Sequence, residues 1–409
     1  MPKDVRMHGF SQRSEVAPVL AWIDAHAARL GSERIGLEAA CGRVLARPVT
    51  ASLDVPAFDR SAMDGYAVRS VDTSGAGDYN PLTFAIVGQA LPGQPFAGDA
   101  VGPSRAVRVM TGAPMPRGAD AVVPAEYAEE KDGNVDLTLA VGAGKNVGVR
   151  GEDIRSGALV LEAGRRLRAQ DVGLLASLGM STVDVVREPR VRMLVTGNEI
   201  VQPGEPKDTY QIYDANSPML RALVARDGGV VEQHLKLRDD SASIREALTA
   251  PGADIVLLSG GSSVGSEDHA PRLLAEAGEL AIHGVAMRPS SPAGAGRVGE
   301  TLVFLLPGNP VSCLCAYDFF AGRAIRLCAG RSGDWPHRTK QAVVARKIAS
   351  AIGRVDYCRV RFEGDAIEPL ALSGASILSS TTRADGFVIV PGESEGYAPG
   401  TTVTVYLYE

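Results

Sequence analysis

Three textures of apolar and polar positions succeed one another along the chain. Residues 14–31 place Val16, Val19, Leu20, Ile23 and Ala27 on one face of a helical period, with Ser14 in reach as a cap. From Arg43 the period shortens. Residues 46–146 hold short alternating runs such as LTFAIVGQA and AVRVMTG, with Gly and Pro between them, the pattern of a small all-β domain. Residues 147–187 return to a mixed texture with a helix from about Ala169 to Leu178, expected to fold back against the first helix. From Arg190 apolar runs alternate with helical patterns: RVRMLVTG, a helix opening at Asn216-Ser217-Pro218, GVVEQHLKL, a helix after Asp239-Asp240, ADIVLLS, a helix over 269–277, ELAIHGVAM, TLVFLLPG and a final helix. Strands alternating with helices predict a mostly parallel α/β sheet. After a polar stretch, 331–340, short strands and turns resume to Glu409.

The predicted fold class is therefore multidomain α/β plus β. A split linker domain (1–45 and 147–187) carries a β-rich insert (46–146). A parallel-sheet α/β domain (188–332) follows, then a C-terminal β-barrel-like domain (333–409). A length of 409 residues suits several cores rather than one.

In an open α/β sheet, ligands bind beyond the carboxyl ends of the strands. Those ends read Thr196-Gly197-Asn198-Glu199, Asp239-Asp240, Ser259-Gly260-Gly261-Ser262-Ser263-Val264-Gly265 with Asp268 beyond, Arg288-Pro289-Ser290-Ser291, and Pro307-Gly308-Asn309-Pro310. Glycines and hydroxyls suit an oxyanion, and carboxylates suit a hard cation such as Mg²⁺. The last loop adds a helix start, with Asn309 as cap and Pro310 in the first turn, whose unpaired N–H groups favour an anion. The bland readings are a plain helix cap for Asp239 or Asp240 and ordinary Gly-rich turns elsewhere. No GxxxxGK[ST] occurs, which excludes a P-loop. In the insert, FDRSAMDGYAV gathers Asp59, Arg60, Ser61 and Asp64, with Thr111-Gly112 and Gly151-Glu152-Asp153 as similar polar turns.

A net charge of −6 argues against nucleic-acid or anionic-membrane partners. No apolar run reaches the length of a membrane span, and the first residues lack the apolar region of a secretory signal. The five cysteines form no Cys-x-x-Cys pair, and Cys313, Cys315 and Cys328 fall on one apolar helix as buried thiols. A reducing cytoplasm is the expected setting.

FDRSAMDGYAV, MTGAPMPRGADAVVPAE, VRGEDI, TGNEI, YDANSPML, SGGSSVGSED and LPGNPVS occur in this order. The chain thereby resembles the molybdopterin molybdenumtransferases, the MoeA family, which is related to the E domains of gephyrin and the plant Cnx proteins. The likeness runs from about Ser11 to Glu409. It implies an α/β domain like MogA and MoaB, and a homodimer whose cleft joins the α/β domain of one subunit to the β insert of the other. It implies insertion of molybdate into adenylylated molybdopterin, with AMP released and Mg²⁺ assisting; other cofactor-biosynthesis proteins are further expected partners. Catalytic residues carried over are Asp59, Thr111, Asp153, Glu199, Asp239 and Asp268. Glu199, Asp239 and Asp268 are the expected Mg²⁺ or pterin ligands. Ser259, Gly260, Gly261, Ser262, Ser263, Gly265, Arg288, Pro307, Gly308, Asn309 and Pro310 are the expected pterin and phosphate contacts.

Two positions depart from the family pattern: Asn198 replaces an acid, and Arg288-Pro289-Ser290-Ser291-Pro292 stands where many members read KPGKP, leaving Arg297 as a candidate compensating cation. A non-catalytic pterin-binding scaffold and a nucleotide pyrophosphatase are the alternative readings.

Overall fold

The computed structural model describes residues 13–261, 269–371 and 374–408. Two compact units emerge, one of residues 34–41 and 45–184, the other of residues 1–33, 42–44 and 185–409. These divisions cut across the expected split linker domain. The first helix groups with the α/β region, and 147–184 groups with the insert.

The unit around the insert contains a six-stranded sheet. Its strands are β1 (Gly65–Val68), β2 (Leu82–Ala90), β3 (Arg105–Val109), β4 (Ala121–Pro124), β5 (Ala128–Lys131) and β6 (Asn134–Leu137), in the order β4-β1-β3-β2-β6-β5. Alternation along the strands feeds two small cores. Tyr66, Val68, Phe84, Val123 and Val135 line one, and Ala67, Val107, Val109 and Val122 the other. A helix spans Ala169–Ser177, as the sequence pattern suggested. The Asp171 carboxylate holds its start, accepting from the Arg168 backbone N–H at 2.9 Å and pairing with Arg165.

The other unit opens with helix α1 (Val16–His26), followed by the α/β layers. Ser14 does not cap α1. Its backbone N–H donates to the Gly284 carbonyl at 2.9 Å, and its carbonyl accepts from Ala286 at 2.8 Å, so it is tied to a strand end instead. The central sheet uses β7 (Arg190–Thr196), β8 (Val230–Leu237), β9 (Ile255–Ser259), β10 (Glu279–His283), β11 (Gly294–Val298) and β12 (Thr301–Leu306), in the order β8-β7-β9-β12-β11-β10. β8, β7, β9 and β12 run parallel; the near-continuous apolar runs of β7, β9 and β12 are explained by burial on both faces, while the edge strand β8 is half exposed. Met193, Leu257 and Phe304 pack with Val19 and Ile23 of α1, while Leu194, Leu258 and Leu305 pack under the helices of the opposite layer.

The strand expected over 280–287 stops at His283, and β11 inserts antiparallel between it and β12. Its sequence, GAGRV, carries little apolar alternation. The small residues instead permit a close strand pair, since a Cβ on Gly296 would lie 2.0 Å from the Glu279 carbonyl oxygen.

Helices α2 (Asn216–Asp227), α3 (Ser241–Thr249), α4 (Ala270–Ala277) and α5 (Pro310–Ala316) complete the layers, with α5 running on through a π turn, Tyr317–Ala321. Past the connecting stretch, β13 (Thr339–Val344), β14 (Val355–Glu363), β15 (Ala366–Ala371), β16 (Gly386–Val390) and β17 (Thr402–Leu407) close as β14-β15-β13-β17-β16-β14, a five-stranded barrel. Val344, Cys358, Val360, Val388 and Val405 fill its interior. Among the described residues no helix is long and apolar enough to cross a membrane.

Candidate functional site

Register brings the parallel strand ends to one rim. Thr196 faces Leu237 on β8, Val195 faces Ser259 on β9, and Ser259 faces Leu306 on β12. The loops that follow are the sequence-predicted clusters: Asn198 and Glu199 after β7, Asp239 after β8, Gly260 and Gly261 after β9, and Pro307 to Pro310 after β12.

The adjacent acids after β8 separate into two roles. Asp240 caps α3, accepting from the Ala242 and Ser243 backbone N–H groups at 3.1 and 2.9 Å and from the Ser243 hydroxyl at 2.9 Å. These bonds hold its carboxyl below the usual range. Asp239 instead faces the neighbouring loop, and its Oδ2 accepts from the Asn198 backbone N–H at 3.1 Å. Glu199 is exposed at the end of the same loop. Neither Glu199 nor Asp239 has an ion-pair partner among the described residues.

Gly260 and Gly261 take positive φ, +94° and +59°. A Cβ on Gly260 would meet the Thr196 carbonyl oxygen at 2.4 Å, so this turn needs glycine. Ser259 is buried, and its hydroxyl accepts from Asn216 Nδ2 at 2.9 Å rather than facing the rim. The same Nδ2 donates to the Gly308 carbonyl at 2.8 Å, joining the β9 and β12 ends through one amide.

Asn216 and its neighbours were not singled out as site residues from the sequence; Asn216-Ser217-Pro218 reads there as a plain helix start. The cap of α2 is in fact supplied by Asp214. Its carboxylate accepts from the Ser217 N–H at 2.9 Å and pairs with the Ser217 hydroxyl, which also lies 2.8 Å from His234 Nε2. Burial pushes the His234 imidazole pKa down, against the opposing pull of Asp214. The signal in the sequence is Asp214 itself, a good capping residue three positions before Ser217.

The helix start at Pro310 corrects a simple expectation. Asn309 occupies the cap position and its carbonyl accepts from Cys313 at 2.8 Å, but its side chain makes no capping bond. The Val311 and Ser312 N–H groups donate to the Ala375 carbonyl of the barrel region at 2.9 and 3.3 Å. The first-turn donors predicted to meet an anion therefore already hold a backbone oxygen.

Arg288, expected at an anion, is paired within the protein. Met287–Arg288 forms a short strand beside β14, and the guanidinium forks onto Asp356, with Nε 2.9 Å from Oδ1. Asp356 is fully buried and also accepts from Ser350 at 2.6 Å. Arg297 sits on β11 opposite Leu302, at the end of the sheet away from the rim, and pairs with Glu279 at 2.8 Å. It supplies no replacement cation. Ser262, Ser263, Gly265 and Asp268 lie outside the described residues.

In the other unit, the polar turns of the insert converge. Ser61 exchanges backbone hydrogen bonds with Gly112 and Ala113, and Arg60–Ser61 pairs with Val147–Gly148. The exposed Asp59 accepts from the Arg150 N–H at 2.8 Å. Thr111 donates both its N–H and its hydroxyl to Asp64, at 2.6 and 2.7 Å, and this lowers the Asp64 pKa. Asp153 is exposed, its backbone tied to the Val55 carbonyl at 3.1 Å. Asp59, Thr111 and Asp153 thus fall on neighbouring turns of one unit.

Comparison with known proteins adds a consistent set of likenesses. Residues 14–179 match the MoeA N-terminal region (domain I and II), residues 192–326 a probable molybdopterin binding domain, and residues 341–408 the MoeA C-terminal region (domain IV). The chain is 32% identical to the molybdopterin molybdenumtransferase of Haemophilus influenzae, over 91% of this chain and 93% of that one. It is 34% identical to molybdopterin molybdenumtransferase 2 of Mycobacterium tuberculosis, over 91% and 94%. A solved molybdopterin biosynthesis MoeA protein from Pyrococcus horikoshii superposes with a TM-score of 0.79 at 30% identity, covering 97% of this chain and all of that one.

Proposed function

Because this chain belongs to the MoeA family of molybdenum cofactor biosynthesis, we propose that it is a molybdopterin molybdenumtransferase that takes adenylylated molybdopterin and molybdate and releases AMP. One observation carries the reading. Two carboxylates without ion-pair partners among the described residues, Glu199 and Asp239, stand on adjacent strand ends beside a glycine turn that lets substrate approach the backbone.

Those carboxylates suit a hard divalent cation: they are oxygen donors, and Asp239 keeps Oδ1 free of the Asn198 bond. Mg²⁺ held by Glu199 and Asp239 would supply charge neutralisation at the pyrophosphate link. Gly260 and Gly261 keep side chains away from the phosphates, and Asn216 fixes the spacing of the β9 and β12 loops. Asp59, Thr111 and Asp153, from the insert of a partner subunit, are assigned to the molybdate end of the substrate. The exposed Phe58, Met63, Met110 and Val149 near these residues in sequence support an apolar subunit contact there. The dithiolene sulfurs belong to the substrate, so the reading asks for no cysteine pair in the protein.

The test is an assay of the full chain with adenylylated molybdopterin, with and without molybdate. The expected result is AMP release that requires molybdate and falls by about 100-fold or more in Glu199→Ala. Binding without AMP release would identify a scaffold. Release indifferent to molybdate would identify a pyrophosphatase.

A further inference from the structure

Asn216 is 7% exposed, and both hydrogens of its amide nitrogen are used, on Ser259 and on Gly308. That fixes the side chain with Oδ1 turned the other way, and Oδ1 has no partner among the described residues. Thr196 is 3% exposed, and its Oγ1 also lacks a partner among the described residues. Both atoms belong to one cluster. Thr196 Oγ1 lies where a Cβ on Gly260 or Gly261 would approach to 2.9 or 3.1 Å, and Gly308 packs on Gly260. Buried polar atoms without partners destabilise a folded chain, so native structures hold few of them. Two at one set of strand ends mark a place where the bound molecule completes the bonding.

We propose that Asn216 Oδ1 and Thr196 Oγ1 receive the hydrogen-bond-donating edge of the pterin ring and select that ring over other groups. The inference rests on the rim being a pterin-nucleotide site, as proposed above. The chemistry of the substrate narrows the choice. Phosphates and dithiolene sulfurs carry no N–H donors. Adenine presents one amino group flanked by ring acceptors. The pyrimidine half of a pterin presents an amino group beside a ring N–H, two donors on one edge, and two unpartnered oxygens match that edge. A site built to accept such donors discriminates strongly against ligands that lack them.

The experiment uses the full chain with molybdopterin and AMP as separate probes, affinities by equilibrium binding and stability by thermal unfolding. Thr196→Val keeps the shape of the side chain and removes only the unpartnered hydroxyl. Its Tm is expected to stay level or rise, molybdopterin binding to weaken about tenfold, and AMP binding to change by less than about twofold. Asn216→Ala is expected to show the same selectivity with some loss of stability. Weaker AMP binding with unchanged molybdopterin binding would assign the oxygens to adenine and overturn the proposal. A lower Tm in Thr196→Val with both affinities unchanged would make the hydroxyl structural and also overturn it. A wild-type chain that binds neither probe would overturn the reading of the rim itself, and this proposal with it.

Discussion

Asp239 accepts a hydrogen bond from the backbone N–H of Asn198 at 3.1 Å, across the gap between two parallel strand ends. The bond leaves Asp239 facing the Glu199 loop, while its neighbour Asp240 is committed to the start of a helix. Two consecutive aspartates therefore carry separable functions. Asp239→Ala is expected to abolish AMP release with Tm within about 2 °C of wild type. Asp240→Ala is expected to lower Tm by about 2–4 °C with activity retained. Steady-state AMP release and thermal unfolding of both variants check the pair, and equal activity losses would refute the division.

Arg288 is a second case of assigned labour. Its fork onto the buried Asp356 ties the segment after β10 to the barrel. Removing Arg288 leaves the buried Asp356 with only the Ser350 hydroxyl and the more distant Arg354 guanidinium, 3.9 Å away, at a cost of up to about 3–5 kcal/mol. Arg288→Ala should show that loss in chemical denaturation, and Asp356→Ala a smaller one, because the Arg288 side chain is partly exposed. The double variant should lose less than the two summed. A phosphate-binding role for Arg288 would instead leave stability unchanged and weaken AMP binding.

Asp318 is one source of acid sensitivity, among several carboxylates held below their usual range. Burial alone would raise its pKa, but the His337 imidazole, 3.7 Å from Oδ2, and the Arg226 guanidinium, 2.8 Å from Oδ1, bring it below the usual carboxylate range. A depressed folded-state pKa contributes stability that is fully present above the unfolded value, about pH 4, and is lost as pH falls through the folded one. Tm should therefore decline at acid pH below that range. In Asp318→Asn that part of the decline should disappear, on a lower baseline at neutral pH. An unchanged acid limb would show that other carboxylates control it.

Thiol chemistry offers a direct check on packing. Cys41 is exposed, and the other four cysteines are buried. Burial pushes the thiols of Cys313, Cys328 and Cys358 up to about 12 and raises that of Cys315 well above its usual value. A thiolate is the reactive form, so an alkylating reagent at neutral pH should modify one equivalent in the native chain, at Cys41. It should modify five after unfolding, read by intact mass.

The contrast between what the sequence shows and what it hides follows the range of the interactions. RVRMLVTG, ADIVLLS and TLVFLL are apolar at both alternating positions because both faces of the central sheet are covered, so their strands were legible. GAGRV was not, because its glycines serve a close strand contact and carry no apolar signal. The placement of Asp239 and Glu199 at strand ends is legible because strand ends are fixed by local pattern. Asn216 and Thr196 carry no such signal, because what distinguishes them is an oxygen without a partner among the described residues, which only packing reveals. Arg288 and the Pro310 helix start were assigned to an anion because their partners, Asp356 and Ala375, lie more than sixty residues further along the chain.

The Ala375 carbonyl on the Val311 and Ser312 amides has one more consequence. It makes the barrel an electrostatic stopper for the α/β layer. A chain cut before the barrel would bare those two donors and the positive end of the helix behind them. Tight phosphate or sulfate binding by such a fragment would measure the scar of the cut, and screening anions against it would rank compounds for a pocket the intact protein does not offer.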